Sequence, residues 1–276
     1  MLNRRRFLAA AGIGAAAALH ADPLGLPIGC QTYPVRDVLG QDFPGTLRRL
    51  RAIGYRNIEM CSPPGYANAG YGPLVNLKPA EIRDAIHAAG LGCESCHYQF
   101  AELKNSLEDR IAYAKELGLK QMVVSTFGLP AAATLAEWSR AADELNGIGE
   151  RTARAGLQLG FHNHNFEFKE IDGVLVYDHL MNRLDPKLVK MQFQVSVISL
   201  GYEAATYLNK YPGRFLSLHL QDWSPAEKKQ VAVGQGMVDW PKLFAASKAG
   251  GIRNYFVELG MEALQPSYDY LHALTA

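Results

Sequence analysis

One pattern recurs along this chain and limits what it can fold into: an amphipathic helix closes on a glycine, and a short apolar or β-branched run follows at once. It occurs at Gly54-Tyr55-Arg56-Asn57-Ile58-Glu59, at Gly90-Leu91-Gly92-Cys93 and at Gly118-Leu119-Lys120-Gln121-Met122-Val123-Val124. It returns at Gly156-Leu157-Gln158-Leu159-Gly160-Phe161 and at Gly251-Ile252-Arg253-Asn254-Tyr255-Phe256-Val257-Glu258. Glycine accepts the left-handed backbone that ends a helix. The helices between carry signals of their own. Thr134-Leu135-Ala136-Glu137 has the spacing of a capping box. Leu107, Ile111 and Ala114 share one helical face, as do Ile82, Ala85, Ile86 and Ala89, while His87 lies off that stripe and reads as a surface residue.

This spacing predicts strands near 28–33, 56–60, 92–97, 121–125, 157–164, 189–195, 214–220 and 254–259. Strands alternating with helices imply a parallel sheet, and near-continuous apolar runs imply strands covered on both faces. Eight such units in about 250 residues match a single (β/α)8 TIM barrel of the α/β class. A doubly wound sheet is the rival architecture, but no Gly-x-Gly-x-x-Gly turn follows the first strand. The Pro/Gly-rich stretch 62–79 reads as a long loop after strand two.

The chain has 276 residues, and the barrel occupies 22–276. Residues 1–21 have the order of a signal peptide: Arg4-Arg5-Arg6-Phe7-Leu8, an almost uncharged Ala/Gly-rich run from Ala9 to Leu19, and a cleavage site after Ala21. Paired arginines before Phe-Leu give it a twin-arginine character, so a periplasmic protein is expected. No later segment is a transmembrane candidate. A formal net charge of +1 gives no bulk attraction for nucleic acid. Four cysteines are too few for a disulfide framework, and Cys93-Glu94-Ser95-Cys96, despite redox-motif spacing, places its thiols on opposite sides of a strand with no helix start to activate them.

Ionisable residues gather where strands end, which is where a (β/α)8 barrel builds its active site. His97, His162, His164 and His219 fall there, Glu59 ends strand two, Glu258 ends strand eight, and Glu167 and Asp222 each follow a histidine by three residues. His162 and His164 are two apart and face one side; if Gly160 faces the barrel interior, both imidazoles do. Imidazole and carboxylate together suit a divalent Zn, Mn, Fe, Co or Ni ion. Tyr33, Tyr98, Phe100 and Trp223 lie near strand ends, where they suit either a sugar face or the core.

His162-Asn163-His164-Asn165-Phe166-Glu167-Phe168, Leu218-His219-Leu220-Gln221-Asp222 and Phe256-Val257-Glu258 together resemble the sugar phosphate isomerase/epimerase family of xylose isomerase-like barrels. The resemblance runs from Ile28 to Leu274. It implies a divalent metal held at the ends of strands five to eight and proton movement next to a carbonyl in sugars, inositols or keto acids; some relatives instead eliminate the aglycone of 3-keto-glycosides. By position it implies His219 and Glu258 as ligands, with His162 or His164 where the wider superfamily has a strand-five glutamate. Glu167 becomes a further ligand or general base, His97 a catalytic residue contacting substrate, and Glu59, Gln194 and Asp222 substrate-binding residues. One position departs: the usual strand-six aspartate is Gln194, in Met191-Gln192-Phe193-Gln194. A neutral amide is a weaker ligand, which disfavours Mg or Mn and leaves a histidine-rich set closer to Zn, Ni or Fe.

The expectation is therefore an exported metal-dependent isomerase, epimerase or lyase acting on a small sugar or keto-glycoside, with homo-oligomerisation left open. The rival is a barrel that binds sugar without turnover, motivated by Gln194. A DNA-repair nuclease of related fold conflicts with the near-zero charge and with the expected export.

Overall fold

The computed structural model describes residues 22–274; the expected signal peptide lies outside the described residues. Eight strands close into a barrel: β1 (Gly29–Gln31), β2 (Asn57–Cys61), β3 (Gly92–Tyr98), β4 (Gln121–Val124), β5 (Gln158–His162), β6 (Val189–Gln194), β7 (Phe215–Leu220) and β8 (Asn254–Val257). Each pairs in parallel with its sequence neighbour, and β1 pairs with β8 to complete the ring. The outer helices are α1 (Phe43–Ile53), α2 (Pro79–Ala88), α3 (Phe100–Leu117), α4 (Leu135–Arg154), α5 (Val176–Arg183), α6 (Ala204–Lys210), α7 (Trp240–Gly250) and α8 (Met261–Ala273). This is the expected (β/α)8 barrel.

The local signals act as read. Thr134 Oγ1 accepts from Glu137 N at 3.3 Å, and Glu137 Oε2 accepts from Thr134 N at 2.7 Å, which fixes the start of α4. Gly118 stops α3 at φ +87°, where a side chain would be strained although the space beside it is open. Ile82 and Ile86 of α2, and Leu107, Ile111 and Ala114 of α3, are buried against the strands, while His87 is exposed. All four cysteines are buried free thiols.

The lumen is unusual in its chemistry. Register aligns Gln31, Glu59, Ser95 and Gln121 across β1 to β4, and His162, Gln192, Ser217 and Asn254 across β5 to β8. These polar side chains are all buried. Barrel interiors are more commonly filled by branched apolar residues. Apolar filling is confined to residues such as Val123, Leu216 and Phe256, which approach where Gly160 and Gly29 omit a side chain: a Cβ on Gly29 would lie 2.5 Å from Phe256 Cδ1 and 2.6 Å from the Tyr255 carbonyl oxygen.

Differences from the expected elements are confined to loops. The 62–79 segment contains two 3-10 turns, Ala67–Ala69 and Gly72–Leu74. Two hairpins were not legible in the sequence: Glu170–Ile171 with Val174–Leu175 after β5, and Asp222–Ser224 with Lys229–Val231 after β7. Strands of two or three residues are too short to show a period. β5 ends at His162, so His164 opens a 3-10 turn beyond the strand. Among the described residues, no helix is long and apolar enough to cross a membrane.

Candidate active site at the mouth of the barrel

Strand alternation turns His97 of β3, His162 of β5 and His219 of β7 into the lumen, where barrel closure brings them together. Ring centroids lie 5.1 Å apart for His97 and His162, 5.1 Å for His97 and His219, and 4.4 Å for His162 and His219. One nitrogen from each ring falls within 4.8 Å of the others. All three are buried, and neither nitrogen of His162 has a hydrogen-bond partner. Burial, then the neighbouring His219, His164 and His97, hold the His162 pKa well below the ordinary histidine range, so its ring is neutral. A neutral imidazole with unpartnered buried nitrogens is poised to accept a cation.

Two carboxylates bracket the group. Glu59 lies below it, fully buried. Its Oε2 is 2.6 Å from His219 Nε2 and 3.2 Å from His97 Nε2, and its Oε1 accepts from Ser95 Oγ at 2.5 Å and Gln192 Nε2 at 2.9 Å. Burial works against this charge, but His97 and His219 outweigh it and hold the Glu59 pKa well below the carboxylate range. Glu258, just past β8, lies above. Its Oε2 is 3.2 Å from His219 Nδ1 and accepts from the side-chain amides of Gln194 and Gln221. Burial raises the Glu258 pKa, but His219 chiefly reverses this and leaves it lowered. For His219 itself, burial favours the neutral ring, yet Glu258 and Glu59 push its pKa up to about 9.

The remaining candidates are placed differently. His164 is partly buried, its ring centroid 4.7 Å from that of His162, and burial lowers its pKa to about 4. Gln194 joins the site through Glu258, with its own Oε1 unpartnered. Glu167 does not join it: the side chain is buried behind the 3-10 turn, where its Oε2 accepts from the backbone N of His164 at 2.7 Å. Asp222 is also committed elsewhere. It accepts from Trp223 N, Val238 N, Gly234 N and Trp240 Nε1 at 2.9–3.1 Å, which occupies all four carboxylate lone-pair directions and staples the hairpin after β7. Glu59 sits on the lumen floor rather than at the surface where a substrate would arrive. Gln192 and Ser95 were missed by the sequence reading. Both stand two residues before a singled-out position, Gln194 and His97, and the strand period alone aims them into the lumen.

Above this group the βα loops form a cleft of two joined chambers, about 630 Å3 and 160 Å3, with Tyr33, His164 and Glu258 lining both. The smaller reaches down to His97 between Tyr66 and Ser125. The larger is walled by the amides Gln194, Gln221 and Gln230, by the charged Arg36 and Glu262, and by Phe166, which is 45% exposed and stacks on His164 at 5.1 Å. Such a lining, rich in hydrogen-bonding groups beside an aromatic face, matches a small ligand with many hydroxyls and some apolar face. The donor set fits a divalent metal: three imidazoles converge, one with both nitrogens unpartnered, and a carboxylate stands beside them.

A solved sugar phosphate isomerase/epimerase from Parabacteroides distasonis ATCC 8503 superposes with a TM-score of 0.75 at 25% identity, covering 90% of this chain and 96% of that one. A D-psicose 3-epimerase from Clostridium cellulolyticum H10, solved with D-tagatose, shares the fold with a TM-score of 0.66 at 11% identity, over 89% of this chain and 96% of that one. In sequence, an inosose dehydratase from Geobacillus thermodenitrificans (strain NG80-2) is 24% identical over 214 residues, 64% of this chain and 71% of that protein. An inosose dehydratase from Lacticaseibacillus casei is 23% identical over 139 residues, and the match spans less than half of its length, 46%. The family profile described as Xylose isomerase-like TIM barrel matches residues 47–272. With that match running over a closed ring of eight parallel strands, the chain belongs to the xylose isomerase-like TIM barrel family.

Proposed function

We propose that this protein is an exported, metal-dependent enzyme that moves a proton at the carbon next to a carbonyl in an unphosphorylated sugar or keto-glycoside, as an isomerase, epimerase or lyase. The observation that carries this reading is the cleft itself: an ionised Glu258 and a neutral His164 line the same space directly above three clustered histidines. The names of its relatives agree with it, since dehydration of a keto-cyclitol and epimerisation beside a ketone both begin with loss of such a proton. Export supports an unphosphorylated substrate, because sugar phosphates are mainly cytoplasmic.

His97, His162 and His219 would hold the cation. The chemistry a divalent cation would supply there is polarisation of a carbonyl, which would make the adjacent C–H more acidic. Glu258 is the general base: its Oε2 is fixed by the side-chain amides of Gln194 and Gln221, and the side chain remains 12% exposed to the cleft. A positioned base of this kind contributes about 10²–10⁴-fold. His164 carries no charge above about pH 4, so it can hydrogen-bond a neutral hydroxyl group without attracting an anion. Glu167 moves from candidate base to support of the turn that presents His164.

The test is metal analysis of the purified protein, followed by solvent deuterium incorporation into 3-keto-glucose and elimination from its glycosides. Bound metal with deuterium exchange or elimination is expected. Absence of metal, exchange and elimination together overturns the proposal. Gln194 motivates a second reading, a sugar-binding barrel without turnover. That reading prevails if the wild type holds no metal and Gln194→Asp gains both metal and exchange.

A further inference from the structure

From the contacts of one residue at the barrel floor, we propose that Glu59 is the positioning residue of the metal site, fixing the ring orientation and tautomer of both His97 and His219 so that each offers Nδ1 to the cation. This rests on the metal-dependent reading above and names the group that builds its site.

Donors and acceptors around Glu59 set both tautomers. Gln192 Nε2 donates to Glu59 Oε1 at 2.9 Å and to Ser217 Oγ at 3.2 Å, so the amide orientation is set and its Oε1 is an acceptor. His97 Nε2 lies 2.6 Å from that oxygen and 3.2 Å from Glu59 Oε2. Both neighbours are acceptors, so His97 Nε2 must carry the hydrogen. His219 Nε2, 2.6 Å from Glu59 Oε2, must do the same. A ring whose hydrogen is fixed on Nε2 has only Nδ1 left to offer a cation, which displaces any proton held there. In His219 that atom faces the cleft side, 3.2 Å from Glu258 Oε2, which lines the cleft. One carboxylate oxygen from β2 thus orients rings from β3 and β7, and the outward nitrogens are left for a ligand beside the unpartnered His162. A carboxylate behind a ligating histidine raises its basicity and holds its plane, and loss of such a partner typically costs about 10–100-fold in metal affinity. Glu59 also places a negative charge beneath a site whose strand-six position, Gln194, supplies none.

The probes are Zn2+ and Co2+ alone, titrated calorimetrically into metal-free protein, with the visible Co2+ spectrum as a report of ligand geometry. Glu59→Gln keeps the shape of the side chain but offers a single acceptor oxygen. It is expected to bind Co2+ about 10–100-fold more weakly with an altered spectrum, while Asn254→Ala, which alters the buried lumen at the Asn254–Gln121 pair without touching Glu59 or the histidines, binds nearly as wild type. If Glu59→Gln does not fold, Glu59→Asp serves: it keeps the charge but withdraws it from the rings, and an affinity between the two is expected. Wild-type affinity and spectrum in the Glu59 variant overturn this proposal alone. A wild type that binds neither ion overturns the metal reading and this proposal with it.

Discussion

At the scale of single residues, chemistry and placement separate. The sequence marked Glu59, Glu167, Asp222 and Glu258 as acids near strand ends, and all four are there. Their partners divide them: Glu258 meets the cleft, Glu59 the histidines, Asp222 four N–H donors and Glu167 one backbone N–H. Glu258→Gln is expected to lower kcat for proton exchange about 10²–10⁴-fold with the fold intact, checked by circular dichroism and deuterium incorporation. Glu167 gives a prediction in pH. Burial pushes its pKa up to about 8 from an ordinary 4.5, and its Oε1 is buried without a partner. The folded protein therefore keeps a proton that the unfolded chain releases above about 4.5. Its contribution to stability is fully present below that pH and is lost as pH rises through about 8. Glu167→Gln, neutral throughout, is expected to flatten the fall of Tm over this window and to melt several degrees above wild type at pH 8. An unchanged Tm profile would refute the assignment.

At the scale of elements, the barrel strands and helices were legible because each spans enough residues to show a period, and because glycines and the Thr134–Glu137 box punctuate them. The hairpins were not, and their stability comes from side chains rather than from strand length. The hairpin after β7 contributes Gln230, whose side-chain amide donates to Gln221, which in turn donates to Glu258. It is held by Asp222, whose bond to Trp240 Nε1 ties it to the start of α7. Asp222→Ala leaves four N–H donors without their acceptor in a buried place. A loss of about 3 kcal/mol in urea unfolding is expected, together with lower activity through the loosened Gln230–Gln221–Glu258 chain. A variant as stable as wild type would mean that the hairpin is held by other contacts.

At the scale of the whole molecule, the lumen decides both stability and function. It has room for Phe256, whose ring lies 6.2 Å from that of His219, only because Gly29 has no side chain; an added Cβ would also press on the backbone oxygen of Tyr255, which cannot swing aside. Gly29→Ala is therefore expected to destabilise the barrel by about 1–3 kcal/mol, read as a lower denaturation midpoint. Much of the rest of the lumen is polar and hydrogen-bonded, which fixes the histidines in place. What the sequence determined by itself was local: the order of strands and helices, the barrel they close into, and which strand residues share a face. Those follow from periods of 2 and 3.6 and from glycine at helix ends, interactions that span a few residues. Only the tertiary structure decided which inward side chains meet. His219 and Glu59 are 160 positions apart and touch because the ring closes with β2 and β7 across the lumen. Closure, and the small residues that permit it, turned a set of polar strand ends into a floor carboxylate, a histidine cluster and a cleft base, a division of roles that no local spacing encodes.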